Sequence, residues 1–123
     1  MPWNLNSDAP IFVQIIDHLQ TDIISGLYKP GDKLPSVRDL AAEAGVNPNT
    51  MQKALSDLES TGLVHSERTS GRFITEDDNM IKNMRISLVD VQIENFFKSM
   101  EKLGFTKEEI LKLVKQYTDK KNR

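Results

Sequence analysis

Asn47, Asn49, Thr50, Gln52 and Lys53 bring five hydrogen-bonding side chains into seven consecutive positions. Asn and Gln can each form a two-point hydrogen bond to adenine, a threonine methyl can meet that of thymine, and lysine can reach guanine or a phosphate. Asn47-Pro48 is a helix start signal, an N-cap acceptor followed by proline at N1. The five side chains therefore surround the first turns of one helix. The free N–H groups and positive dipole of such a turn also favour a phosphate. Pro48 adds no donor but fixes the angle at which the turn begins. Taken singly, Thr50, Gln52 and Lys53 are ordinary solvent-facing residues, and Asn47-Pro48 would start a helix in any protein. The chemistry rests on the group and on what flanks it.

Two flanking segments matter. Ser36 opens a preceding helix with Asp39 three residues on, a weak form of the capping box. Arg38, in its first turn, is placed to cross to a backbone or groove edge. On the other side, Glu67-Arg68-Thr69-Ser70-Gly71 is a turn-rich tip between two β-prone segments, residues 63–66 and 72–75. Arg68, Thr69, Gly71 and Arg72 could approach phosphates or a minor groove. Other chemistries find little support. With no cysteine, thiolate chemistry and disulfides are excluded. His18 and His65 have no metal-ligand spacing, the serines lack a histidine partner, and no glycine-rich phosphate loop occurs. No catalytic residue, metal or cofactor is expected, and Trp3 is expected to pack the N-terminal arm.

The elements that position these residues follow from periodicity. Ile11, Ile15, Ile16, Leu19, Ile23 and Ile24 recur at helical spacing and predict a first helix over residues 11–24. Val37, Leu40, Ala41 and Ala44 form the buried side of the second, which Gly45 ends with the positive φ of a sharp turn. Met51, Ala54, Leu55 and Leu58 form that of the third, ended by Gly62. Lys33-Leu34 is a possible short strand. The order of helix, tight turn, helix and hairpin is a winged helix-turn-helix, which presents a helix N-terminus to the DNA major groove. Residues 80–103 then predict a long helix, and Thr106 with Glu109 is a capping box for a last one. The fold class is mainly α with a small β-hairpin: a winged helix-turn-helix over residues 10–78, then two dimerisation helices over residues 79–123.

The charge balance is awkward for a nucleic-acid binder. The formal net charge is -2, and residues 1–78 hold six bases against twelve acids, about -6. DNA binding must therefore rest on placement: residues 45–56 contain no acid and one base, Lys53. The acidic balance leaves a protein-binding winged helix as an alternative. No apolar run approaches the roughly 20 residues of a membrane span. The N-terminus lacks the basic start and apolar stretch of a secretory signal, so a cytoplasmic protein is expected.

The runs Pro30-Gly-Asp-Lys-Leu-Pro-Ser-Val-Arg-Asp-Leu-Ala41, Gly45-Val-Asn-Pro-Asn-Thr-Met-Gln-Lys-Ala-Leu55 and Leu58-Glu-Ser-Thr-Gly-Leu-Val64 resemble the GntR family of bacterial transcription regulators. Pro10-Ile-Phe-Val-Gln-Ile15 belongs to the same pattern, and the resemblance covers about residues 10–76. The wording of residues 46–50, with a short helical tail, is most similar to the YtrA-like subfamily. The resemblance implies a dimeric repressor on double-stranded DNA. It implies DNA contacts from Arg38, from Asn47, Asn49, Thr50 and Gln52, and from the wing-tip Gly71. Many members carry arginine where this chain has Pro48 and Gln52, which implies a readout less dependent on guanine and charge.

Only 45 residues follow position 78. Two helices of that size enclose little by themselves. Val89, Ile93, Phe96, Met100 and Leu103 repeat at steps of four and three, an apolar seam of about two heptads with Phe97 beside it. These six residues are expected to pair with a second copy. A two-fold dimer would read a palindromic site. No residue points to a small-molecule effector.

Overall fold

The computed structural model describes residues 3–121. Five helices and one hairpin follow in the order α1 (Ile11–Ile24), α2 (Val37–Ala44), α3 (Pro48–Ser60), β1 (Val64–Glu67), β2 (Gly71–Ile74), α4 (Asp78–Lys102) and α5 (Lys107–Lys121). The chain forms two compact units that divide after Arg85. The first unit therefore extends past residue 78 and includes the opening turns of α4.

In the first unit, local signals set the helix ends. Ser36 Oγ accepts the Asp39 N–H at 3.0 Å and starts α2. Gly45, at φ 77°, closes it by donating its N–H to the Ala41 carbonyl. A side chain there would meet the left-handed penalty that glycine escapes. Asn47 Oδ1 accepts the Asn49 N–H at 2.7 Å and starts α3 with Pro48 at N1. The apolar faces then meet. Ile15, Leu19 and Ile23 of α1, Leu40 of α2, and Met51, Leu55 and Leu58 of α3 are all at most 1% exposed. Burying each contributes about 1.5–3 kcal/mol relative to leaving it in water. α3 packs on both α1 and α2, and its far end meets β1.

β1 and β2 pair antiparallel, with Val64 opposite Ile74 and Glu67 opposite Gly71. The other edge of β2 is covered by residues 31–34. Lys33 bridges to Phe73, Leu34 N–H donates to the Arg72 carbonyl at 2.8 Å, and Ile74 N–H donates to the Asp32 carbonyl at 2.8 Å. The expected Lys33-Leu34 strand is thus reduced to an isolated bridge at Lys33 beside the two-stranded wing.

Trp3 holds the arm before α1. Its ring stacks on His18 with centroids 3.7 Å apart, and its indole N–H donates to Glu43 at 3.4 Å. Gln14 completes the seat by accepting the Asn6 N–H and donating to the Asn6 and Ala9 carbonyls.

α4 starts two residues earlier than its apolar pattern predicts, because Asp77 Oδ1 caps it by accepting the Met80 N–H. Arg85 donates from its guanidinium to the Ile24 carbonyl, satisfying the C-terminal end of α1. In the second unit, Thr106 and Glu109 form the expected reciprocal box at the start of α5, with bonds of 2.9 and 3.2 Å. Ile110 is buried there, but Val89, Ile93, Phe96 and Leu103 are 44–72% exposed. Phe97 and Met100 are half-buried. Phe96, Met100, Phe105, Leu113, Val114 and Tyr117 line an apolar hollow of about 550 Å³. Among the described residues, no helix is long and apolar enough to cross a membrane.

Candidate nucleic-acid interface

The first turns of α3 are open. Asn47, Pro48, Asn49, Gln52 and Lys53 are exposed and Thr50 is half-buried. Their freedom differs. The Asn47 side-chain oxygen is committed to capping the helix. A two-point pairing with adenine needs both ends of the amide, so it falls to Asn49 and Gln52. Gln52 donates to Ser56 Oγ at 3.3 Å, a long bond that a base edge can replace. Lys53 sits with its ammonium 3.9 Å from the Phe12 ring centroid, so α1 steers this cation. The exposed first turns of α3 are therefore mostly neutral.

Ser36 and Arg38 are exposed at the start of α2. The Ser36 oxygen caps the helix, which leaves its hydroxyl proton to donate elsewhere. Arg38 has no acid partner among the described residues. Arg68, Thr69 and Gly71 are exposed at the hairpin end. Gly71 has φ 106°, a conformation that other residues rarely adopt.

Arg72 departs from the expectation that it faces DNA. Its guanidinium turns inward to the Glu59 carboxylate near the end of α3, and its side chain is only 17% exposed. Ser66 Oγ donates to the same carboxylate oxygen at 2.5 Å. Those bonds hold the Glu59 carboxyl below its ordinary range, the Ser66 bond most and Arg72 next, with desolvation opposing. One acid thus ties both strands of the wing to α3. Arg72 aims the wing, while Arg68 remains its open cation. No local signal reveals Glu59, because its partners lie 7 and 13 residues away.

The family model for bacterial regulatory proteins of the gntR family matches residues 12–74. The HTH-type transcriptional repressor YtrA of Bacillus subtilis is 32% identical over 111 residues, 89% of this chain and 85% of YtrA. A GntR family transcriptional regulator from Listeria monocytogenes superposes with a TM-score of 0.83 at 39% identity, over 91% of this chain and 98% of that one. The AraR DNA-binding domain, solved in complex with operator ORE1, superposes with a TM-score of 0.53 at 30% identity over 61% of this chain and 94% of that one. Fold and relatives are those of transcription regulators that bind DNA, and not of enzymes. The matched stretch takes in both helices of the helix-turn-helix and the wing, and this chain belongs to the GntR family of bacterial regulatory proteins.

Proposed function

We propose that this protein is a repressor that binds a palindromic operator as a homodimer. The observation that carries the reading is the open first turn of α3 beside a wing whose angle Glu59 holds. Asn49, Thr50 and Gln52 read base edges, with Asn47 and Pro48 shaping the turn. Ser36, Arg38, Lys53, Arg68, Thr69 and Gly71 position the domain on the backbone. AraR's domain on its operator supports the DNA role, and the name of YtrA supports repression. The exposed Val89, Ile93, Phe96 and Leu103 support pairing through the C-terminal helices. Two copies would place their α3 helices about 34–36 Å apart, one turn of DNA.

The test is a gel-shift titration at fixed salt with the protein's own promoter region and with random duplex. A strong preference for the promoter, mapped to an inverted repeat, is expected. Equal binding to both overturns sequence-specific regulation. Sedimentation at micromolar concentration checks the pairing, and a strict monomer overturns the homodimer.

A further inference from the structure

Side chains alternate along an extended segment. Along the wing's outer edge this turns Leu34 into the core at 2% exposure and leaves Lys33 exposed. The Lys33 stem lies across Gly71: a Cβ at position 71 would sit 3.2 Å from Lys33 Cε and 4.0 Å from Nζ. Glycine there makes room for the lysine as well as for the turn. Beside them, Lys33, Pro35, Ser36, Asp39, Ser70 and Gly71 border a groove of about 610 Å³ between the wing and the start of α2. Of the bases in residues 1–78, Arg72 is engaged by Glu59 and Lys53 by the Phe12 ring. Lys33 has no acid partner among the described residues, and its ammonium offers three donors.

We propose that this groove seats one DNA backbone phosphate, with Lys33 supplying the charge and the Ser36 hydroxyl a hydrogen bond. The proposal rests on the DNA-binding reading above, which already places Ser36 on the backbone, and adds the Lys33 contact which that reading does not contain. Asp39 borders the same groove and opposes the anion. A phosphate carries no base identity, so Lys33 sets affinity and salt sensitivity and leaves sequence preference alone.

Wild type, Lys33→Gln and Asp39→Asn are titrated against operator and random duplex at several salt concentrations, with thermal unfolding run on each variant. Lys33→Gln is expected to weaken both duplexes by the same factor, roughly three- to tenfold, and to reduce the slope of log affinity against log salt by about 0.9 per protomer. Asp39→Asn is expected to strengthen both. Lys33→Met keeps the stem on Gly71 and removes only the charge, so it carries the test if Lys33→Gln loses stability. Wild-type affinity and slope in these Lys33 variants overturn the proposal and leave the DNA reading standing. A changed preference at one base pair overturns it as well, by making Lys33 a base contact. A wild-type protein that binds neither duplex overturns both.

Discussion

Gln52 and Arg68 stand for two kinds of contact, and substitution separates them. Gln52→Ala removes a candidate base contact, with an expected cost of about 1–3 kcal/mol on the operator and almost nothing on random DNA. Arg68→Ala is expected to weaken both duplexes alike and to flatten the salt dependence. Parallel titrations of the two variants check this, and identical profiles would contradict it. Glu59 acts on stability instead. Its carboxyl, held below the ordinary 4.5, binds fewer protons in the folded chain than in the unfolded one. Its stabilising contribution is therefore present above the unfolded value and is lost as pH falls through the folded one. Glu59→Gln should be less stable than wild type near neutral pH, with the gap closing as pH falls below 4.5 and through the lower folded value. Urea unfolding at the two pH values measures it, and a gap that widens on acidification would refute the assignment.

At the scale of elements, the turn between α2 and α3 is the joint on which the interface depends. Gly45 sits at φ 77° between the two helices. Gly45→Ala is expected to cost about 1–2 kcal/mol in thermal or urea unfolding through left-handed strain, and to weaken operator binding further by re-aiming α3. This joint was legible in the chain because its determinants are local: Ser36, Gly45 and Asn47-Pro48 each act within a few residues. The candidate contacts on α3 were legible for the same reason, since helical spacing places them around one turn. The inward turn of Arg72 was not, because it depends on an acid two elements earlier. Nor was the position of Lys33, whose partner Phe73 lies 40 residues on and is reached only after the wing has packed. Long-range pairing leaves no periodic mark, so the residues it positions are found only in the fold.

For the whole molecule, residues 1–78 carry about -6 and residues 79–123 about +4. Long-range attraction to DNA is therefore modest, and affinity should depend on pairing two copies. Ile93→Glu places a charge on a side chain that is 51% exposed in the single chain, so the folded protomer should persist. It is expected to shift sedimentation from dimer to monomer and to lower operator affinity much more than affinity for a single half-site. Unchanged sedimentation would count against the seam as the contact. The seating of Trp3 on His18 has an optical consequence. This is the chain's one tryptophan, and its ring lies 3.7 Å from an ionisable imidazole. Its emission is a label-free gauge of the arm, sensitive to any fusion at the N-terminus that lifts the indole from α1.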